Sequence, residues 1–290
     1  MKLQDLPARG LEPAGPVELQ ADIAFARDAG GDTGIRRQRV RYPFHLGRVL
    51  RMAGDPAGMA SVYLQSCSGG IFQSDDLRMR IVAGEGASAH VTSAASTVVH
   101  GMVSAGARQT VEIDAAEGAL LEYLPDPLIL FPRSRLQNCV EVRLDPRATV
   151  IFGETLLLHD PAGMGGAFDF LESATVVRDR KGAMLACDRF RCSGGDLARA
   201  LPGINGAYAA QATLFAITAA RPADVLVDAM RRALAPIEGV YAAASALPGA
   251  AGAWIRVLGR DAIGTRAAMH AAWSAARSEM TGRAPMPRRK

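Results

Sequence analysis

The sequence has few aromatic residues, a small net charge and no long apolar run, and each of these excludes a class of protein. Aromatic residues make up 6% of the 290 residues and the net charge is +4, whereas nucleic-acid-binding proteins usually combine a dense basic stripe with interleaved aromatic residues. No window approaches the roughly 20 apolar residues that cross a bilayer, and residues 1–7 lack the apolar run of a secretory signal. We therefore expect no nucleic-acid partner and no membrane association.

Cysteine is also scarce. The four cysteines are Cys67, Cys139, Cys187 and Cys192. Four cysteines in so long a chain do not make a disulfide framework. Four residues separate Cys187 from Cys192, which is wider than the usual Cys-x-x-Cys of structural zinc sites. The sequence therefore predicts a protein of the reduced cytoplasm.

Complete catalytic signatures are missing from the sequence. A phosphate-binding loop of the type Gly-x-x-x-x-Gly-Lys-Ser/Thr is absent. Residues 163–166 come nearest to a dinucleotide fingerprint, but they lack the strand-to-helix setting and the acidic residue about twenty positions further on. Residues 86–90 are similar to a nucleophile elbow, but His90 replaces the second glycine. The sequence thus predicts neither a nucleotide site nor a serine hydrolase.

The histidines do not form a metal-binding motif. They stand at positions 45, 90, 100, 159 and 270, without an i, i+4 pair or a His-x-His. This spacing predicts histidines that are hydrogen-bonded one by one, and no stable metal site. His159 and Asp160 can be interpreted as a pair of ligands or as a turn before Pro161. A hydrolase-type enzyme that uses His159 and Asp160 is therefore one competing hypothesis.

Alternation of apolar and charged residues dominates the chain up to about residue 220. Leu77, Met79 and Ile81 alternate with Arg78 and Arg80, which is the period of a half-buried strand. The same alternation recurs at 111–114 and at 140–144, and Gly/Asp/Pro turns separate the runs. The pattern predicts a mainly β protein with a large body of stacked antiparallel sheets, of β-sandwich or β-helix-like form.

The period becomes helical near the C-terminus. Leu226, Met230 and Leu234 recur at helical spacing until Pro236. A strand pair at 240–246 and 253–258 then leads to a second helix. The sequence thus predicts two C-terminal α-helices.

One face of the second helix carries Met269, Trp273 and Met280. Such a stripe is typical of a helix that packs on a sheet. Met and Trp are also apt for a partner-docking groove, to which Arg277 would contribute. Both interpretations remain open from the sequence.

A carboxylate in an apolar strand is the most unusual chemical feature. Glu122 is followed by Tyr123-Leu124-Pro125-Asp126, and a lone buried carboxylate costs several kcal/mol unless it is paired or hydrated. Glu122 is either a structural anchor, held by Arg133, Arg135 or backbone amides, or it faces a polar cavity. Asp75, which follows a Gly-Gly turn, allows the same two interpretations.

Several segments resemble, in order, the UreD family (also called UreH) of urease accessory proteins. They are Ser-Gly-Gly-Ile-Phe-Gln-Ser-Asp at 68–75, Thr-Ser-x-Ala-Ser-Thr-x-Val at 92–99, Leu-Glu-Tyr-Leu-Pro at 121–125, Ile-Arg-Val-Leu-Gly at 255–259 and Trp-x-x-x-Arg at 273–277. The family has Pro-Pro where this chain has Cys67-Ser68, and Gln and Lys where it has Ala94 and Val98. The resemblance covers about residues 30–285, and it implies a diverged member.

The resemblance implies a non-enzymatic scaffold for nickel insertion. Its implied partners are a UreF-like accessory protein, a UreG-like GTPase reached through it, and the urease apoprotein. It implies no resident cofactor, but a transient nickel passage through the subunit. Tight His/Cys ligation would trap nickel, whose affinity for such sites is high, so we predict that the passage uses the sparse carboxylates Glu122, Asp75 and Asp126. A generic β-rich protein-binding module is the other alternative.

The predicted organisation has no linker that divides the body. We expect an N-terminal tail and first strand over residues 1–30, a single UreD-like β-rich domain over residues 31–285, and a basic tail over residues 286–290.

Overall fold

Two β-sheets lie face to face and enclose the main apolar core. The structure is a computed structural model that describes residues 18–286. The predicted loose tail up to residue 17 and the last four residues of the predicted basic tail lie outside the described residues. Strand alternation buries Met79 and Ile81 in this core and Leu77 in a neighbouring apolar cluster.

The strands of the described chain are β1 (Ala21–Arg27), β2 (Thr33–Val40), β3 (Phe44–Leu46), β4 (Ala60–Ser66), β5 (Asp76–Ala83), β6 (Ser88–Thr92), β7 (Thr97–Val99), β8 (Ala107–Ala115), β9 (Leu120–Tyr123), β10 (Leu128–Leu130), β11 (Arg135–Leu144), β12 (Thr149–Leu158), β13 (Phe170–Asp179), β14 (Met184–Cys192), β15 (Ala210–Thr218), β16 (Val240–Ala246) and β17 (Gly252–Gly259). The α-helices are α1 (Gly194–Ala198), α2 (Ala223–Leu234) and α3 (Ala262–Thr281).

The two sheets are built by a chain that alternates between them. Sheet I has the strand order β14-β13-β11-β8-β5-β1-β2, and sheet II has the order β16-β17-β15-β12-β9-β6-β4-β3. From β4 to β13 each coil adds one strand to sheet II and one to sheet I, as in a solenoid. The short strands β7 and β10 pair with each other, and β10 also pairs with β12.

The predicted stacked sheets are confirmed, but the predicted antiparallel pairing is wrong for the middle of both sheets. The strands β5, β8, β11 and β13 run parallel in sheet I, and so do β4, β6, β9 and β12 in sheet II. The antiparallel pairs lie towards the edges, such as β1 with β2 and β13 with β14. Alternation shows only that one face of a strand is covered, so it does not reveal strand direction.

Parallel pairing brings residues of successive coils into rows. In sheet I one inward row contains Met79, Val111, Val140 and Thr175. Residues about 30 positions apart in the sequence therefore become neighbours, and a polar residue at the same place in several coils makes a polar row.

The helices α2 and α3 cover the outer face of sheet II, and the prediction of two C-terminal helices is confirmed. The α3 helix begins after Asp261, whose side chain accepts a hydrogen bond from the Gly264 N–H at 2.8 Å, and it ends at Gly282 with φ 71°. Together the helices bury a second apolar cluster, which includes Leu226 and Met230. The short helix α1 was not predicted.

Helix α3 lies very close to the sheet. A Cβ atom at Gly153 would come within 2.8 Å of the Thr213 carbonyl oxygen and 2.9 Å of the Met269 Cε atom, so this position between the strand and the helix has no room for a side chain. Among residues 18–286, none of the helices combines the length and the apolar character that crossing a bilayer requires.

Candidate functional site

A cavity of about 490 Å³ lies between the two sheets. Sheet I contributes Met79, Gln109, Val111, Asn138 and Val140, and sheet II contributes Leu64, Thr92, Tyr123 and Glu154. At about 30 Å³ per water molecule, the volume has room for on the order of ten waters. The cavity is therefore large enough for a small hydrated solute.

The cavity reaches the protein surface beside the end of β4. Gln65, Ser66, Cys67 and Gly69 line the cavity and are exposed to solvent. The next residue, Gly70, has φ 144°, and a Cβ atom there would lie 2.3 Å from the Val98 carbonyl oxygen. Only glycine fits such a position, so the Gly-Gly motif of the sequence reflects a close approach of two chain segments at this opening.

A polar row of sheet I faces the cavity region. Gln109, Asn138 and Ser173 occupy equivalent places on β8, β11 and β13. The Gln109 Nε2 atom donates a hydrogen bond to Asn138 Oδ1 at 3.0 Å. The adjacent row holds Val111 and Val140 beside Thr175, so it is less polar than the row of Gln109, Asn138 and Ser173.

Glu154 of β12 meets this polar row from the opposite sheet. The Asn138 side-chain amide donates to Glu154 Oε2, and the Ser173 hydroxyl donates to Glu154 Oε1 at 2.6 Å. Glu154 lies deep between the sheets but retains some accessible surface, because its side chain lines the cavity. Among residues 18–286 it has no ion-pair partner.

Burial raises the pKa of Glu154 above its usual range. The hydrogen bonds from Ser173 and Asn138 act against this increase, as does the more distant charge of Arg256, while Asp188 adds to it. Glu154 is not among the residues predicted from the sequence. The available signal was a single acid within the apolar strand Thr149–Leu158, the same signal that singled out Glu122.

The structure places Asp126 in the cavity lining. Its backbone N–H donates to Ser93 Oγ at 2.7 Å, and the same hydroxyl lies 3.2 Å from Asp126 Oδ2. Asp75 lies elsewhere, outside the residues that line the cavity. Its carboxylate accepts a hydrogen bond from the Phe72 N–H at 2.7 Å and closes a surface turn. The carboxylates that the lining does contain are thus Asp126 and Glu154.

Glu122 points away from the cavity, towards helix α3. Its Oε2 atom lies 2.6 Å from His90 Nδ1, and its Oε1 atom lies 3.0 Å from Arg277 Nε. His90 and Glu122 are register partners on β6 and β9, which explains why residues 32 positions apart meet. All three side chains are buried. Glu122 is therefore held by His90 and Arg277, and not by Arg133, Arg135 or backbone amides.

The ion-pair network continues from Arg277 into the segment before β4. Arg277 Nη2 lies 2.9 Å from Asp55 Oδ1, and Asp55 Oδ2 accepts a hydrogen bond from Ser61 Oγ at 2.6 Å. The Arg277 guanidinium also lies 5.4 Å from the centre of the Trp273 ring. We call the set of Asp55, His90, Glu122 and Arg277 the buried ion network. It fastens α3 to the sheet.

The four residues considered for partner docking lie on this inner face of α3. Trp273 and Arg277 are buried within the chain, at 7% and 0% exposure. Met269 and Met280 are half-buried and pack against the apolar cluster under the helices. The stripe thus packs on sheet II, and only its two methionines retain accessible surface.

His159 and Asp160 have separate surroundings. The Asp160 carboxylate accepts hydrogen bonds from the backbone N–H groups of Ala162 at 3.0 Å and Gly166 at 2.8 Å, and bonding to the loop backbone lowers its pKa. The His159 ring lies 5.8 Å from the Phe131 ring. Within the described chain no hydrogen bond joins the two side chains, and Asp160 organises its own loop.

No group of three or more His, Cys, Asp or Glu side chains is arranged to hold a metal ion in the part of the chain that the structure describes. The oxygen atoms that a cation would meet in the cavity come from carboxylates, hydroxyls and amides, such as those of Asp126, Glu154 and Asn138. Such donors suit hard and borderline cations.

Comparisons with known proteins agree with the resemblance of the motifs. The profile of the UreD urease accessory protein family matches residues 18–290. Urease accessory protein UreD 1 of Pseudomonas syringae pv. tomato is 44% identical over 270 residues, which cover 93% of this chain and 95% of that protein. Urease accessory protein UreD 1 of Methylorubrum extorquens is 37% identical, with 99% and 98% covered. Urease accessory protein UreD 2 of Streptomyces griseus is 35% identical, with 96% and 95% covered. The chain therefore belongs to the UreD family of urease accessory proteins.

Proposed function

We propose that this protein is a non-enzymatic scaffold of urease maturation in the cytoplasm, and that nickel on its way to apo-urease passes through the cavity between the sheets. The observation that carries the proposal is the cavity itself, which is open to solvent at one side and lined by Asp126 and Glu154. Membership of the UreD family supplies the connection with urease.

The chemistry of the lining favours transit over storage. Two carboxylates at separate places attract a divalent cation, but among the described residues neither belongs to a group of three or more His, Cys, Asp or Glu side chains that could hold nickel tightly. Hydroxyl and amide groups such as those of Thr92 and Asn138 offer further weak contacts. A cation in such a cavity keeps much of its water and exchanges easily.

We propose further that the scaffold binds a UreF-like protein, reaches a UreG-like GTPase through it, and docks on the urease apoprotein. On α3, the accessible parts of Met269 and Met280 are the proposed contacts, since Trp273 and Arg277 are covered. Replacing Met280 by serine would then weaken co-purification with the UreF-like protein, and a modest fall in the melting temperature would reflect its lost packing on the apolar cluster. Undiminished co-purification would remove α3 from the proposed contacts.

The passage is tested by blocking it. Ala94 lines the cavity, and Ala94→Phe adds a ring to its wall. Ala243 is exposed on β16, outside the lining, so Ala243→Phe is the matched control. We expect Ala94→Phe to slow nickel-dependent activation of the cognate urease about tenfold or more. A tenfold effect corresponds to a rise of about 1.4 kcal/mol in the free-energy barrier to transit.

Co-purification with the partner proteins and thermal stability show whether each variant still folds and assembles. Activation at the wild-type rate by an assembled Ala94→Phe protein would contradict the passage. It would leave the role of the chain as a scaffold untouched.

A further inference from the structure

In the described chain, the four outer strands of the two sheets differ in how their edges are protected. An outer strand offers unpaired N–H and C=O groups to a second strand, and proteins usually block it with charge, a bulge or short length. In sheet I, β2 and β14 each carry several charged side chains and each pair with their neighbour through an irregular register. In sheet II, β3 has only three residues. Strand β16 has none of these protections.

Strand β16 is long, uncharged and built mostly of small residues. Its seven residues read Val-Tyr-Ala-Ala-Ala-Ser-Ala, and among residues 18–286 it pairs only with β17. The register of that pair is regular along the whole strand. A regular, uncharged edge of this length can accept a further strand through its backbone.

The even-numbered residues of β16 point their backbone groups away from β17. Just after the strand, the Leu247 N–H donates to the Gly252 carbonyl at 2.9 Å, and hydrogen-bonded positions alternate along an antiparallel pair, so the odd-numbered residues bond to β17. The Ala244 carbonyl instead accepts hydrogen bonds from Arg231 Nη2 at 2.9 Å and Nε at 3.2 Å. A carbonyl oxygen has two lone pairs, so it can still accept a second donor. The outward backbone groups that have no hydrogen-bond partner within residues 18–286 include those of Val240, Ala242 and Ala246.

The side chains of β16 leave room for a second strand. On one face, Tyr241 is 66% exposed, and Ala243 and Ser245 are exposed as well. On the other face, Val240 and Ala244 pack into the apolar cluster under the helices. A strand beside β16 therefore meets neither a charge nor a bulky branched side chain on the exposed face.

Helix α2 adds a charged stripe along the same edge. Its exposed charged residues stand at positions i, i+4, i+7 and i+8, which lie on one side of a helix. They are Asp224, Asp228, Arg231 and Arg232. Because Arg231 reaches the outward carbonyl of Ala244, this side of the helix follows the edge of β16. The stripe is acidic in its first half and basic in its second half, so a two-fold axis would place the acids of one helix opposite the arginines of another.

We propose that two copies of this chain pair through β16, antiparallel, about a two-fold axis at Ala243. Sheet II then continues from one copy into the other. In this register Ala242 lies opposite Ala244 of the second copy, and Tyr241 lies opposite Ser245. The outward N–H and C=O groups of the two strands bond to each other, and the reversed charges of the α2 stripes favour a second copy over a strand of another protein. Such a contact uses the same surface twice, so it closes as a dimer.

Disulfide cross-linking of the full-length chain, alone or co-purified with its UreF-like partner, tests both the pairing and its register. Ala243 would face its own copy at a non-hydrogen-bonded position, where Cα atoms lie about 4.5 Å apart, within the reach of a disulfide. Ser245→Cys is the matched control, because the two Ser245 positions would lie at least about 13 Å apart. Both variants carry Cys67→Ser and Cys187→Ser, which remove the exposed native thiols. Under mild oxidation we expect Ala243→Cys to give about tenfold more covalent dimer than Ser245→Cys.

A pair of charge variants provides a second measurement. In the proposed register, Tyr241→Lys with Ser245→Lys places like charges opposite each other twice, whereas Tyr241→Glu with Ser245→Lys places opposite charges there. Like charges that face each other destabilise a strand pair, and opposite charges stabilise it. Sedimentation should therefore show dimerisation roughly tenfold weaker for the first variant than for the second. Both variants change the same two exposed residues, and circular dichroism shows that both are folded.

The outcomes decide the proposal without affecting the passage. Equal cross-linking by Ala243→Cys and Ser245→Cys would overturn the pairing, and so would equal dimerisation of the two charge variants. An edge that instead receives a strand of the UreF-like protein, or residues 1–17, would give these results. The passage is tested separately, since Ala243→Phe would place two aromatic rings side by side, which paired strands accommodate.

Discussion

At the scale of single residues, Glu122 and Glu154 are two acids in apolar strands of the same sheet with opposite surroundings. Glu122 points to the helices and lies between His90 and Arg277, so its charge is compensated inside the protein. Glu154 points to the cavity and receives only neutral donors. The acid on the helix side of sheet II is therefore paired within the protein, whereas the acid on the cavity side remains accessible to solutes.

The raised pKa of Glu154 predicts how the free energy of unfolding depends on pH. Because burial raises the pKa of Glu154, the folded protein keeps this proton to a higher pH than the unfolded chain, in which a glutamate releases it above about pH 4.3. The contribution of Glu154 to stability is therefore present at low pH and is lost as the pH rises through the folded-state pKa. Since glutamine does not titrate, we expect Glu154→Gln to be more stable than wild type at pH 7, with the gap closing near pH 4.

Urea denaturation at several pH values measures this difference. Asp126→Asn is the control, because it removes a carboxylate from the same cavity without the two side-chain donors of Glu154. A stability gap for Glu154→Gln that stays constant between pH 4 and 7 would contradict the argument.

The four cysteines are predicted to fall into two classes of reactivity. Cys67 and Cys187 are exposed, while burial raises the pKa of Cys139 to about 12 and that of Cys192 to about 11. Only the thiolate reacts with alkylating reagents. At pH 8 we expect iodoacetamide to label Cys67 and Cys187 roughly a hundredfold or more faster than Cys139, as peptide mass spectrometry would show. Equal labelling in the folded protein would be inconsistent with the burial of Cys139, and labelling in urea provides the reference rates.

At the scale of elements, the sequence revealed the strands better than their arrangement. Alternation at Leu77, Met79 and Ile81 located β5, whose burial alternates as expected. Strand direction was not visible, because parallel strands with one covered face show the same period. The partners of Glu122 were not visible either, since His90 and Arg277 lie 32 and 155 positions away (122 − 90 and 277 − 122). Only the register of the solenoid and the return of α3 bring them together.

The buried ion network predicts how firmly α3 is held to sheet II. Removing one partner of a buried ion pair leaves the charge of the other buried and uncompensated. Glu122→Leu and Arg277→Met should therefore each lower the free energy of unfolding by about 3–5 kcal/mol. In the double variant both charges are absent, and we expect it to be more stable than the sum of the single effects predicts, by about 1–3 kcal/mol.

Chemical denaturation of the wild type and the three variants gives the coupling energy. The pair Arg135 and Asp169, whose side chains are each 37% exposed, is the control, and its coupling should stay below about 1 kcal/mol, as the coupling of exposed pairs does. Additive effects of Glu122→Leu and Arg277→Met would mean that the two side chains do not act as a unit.

At the scale of the whole molecule, sheet II lies between two large apolar clusters. One lies between the sheets and the other lies under the helices. Sheet II contributes its inner face to the first cluster and its outer face to the second, and the buried ion network adds polar contacts on the helix side. The helices thus brace one wall of the cavity between the sheets from outside.

The two tryptophans report separately on the two layers, which makes the coupling between them measurable. Trp254 packs against the cluster between the sheets, and Trp273 is buried under α3. Because both layers depend on sheet II, we expect them to unfold together in one cooperative transition. The variants Trp254→Phe and Trp273→Phe each retain a single tryptophan. In each variant, the urea midpoint measured by tryptophan fluorescence should coincide with the midpoint measured by circular dichroism. An earlier midpoint for Trp273 fluorescence than for circular dichroism would show instead that α3 detaches first, and the helices would then be a mobile cover of sheet II and not its brace.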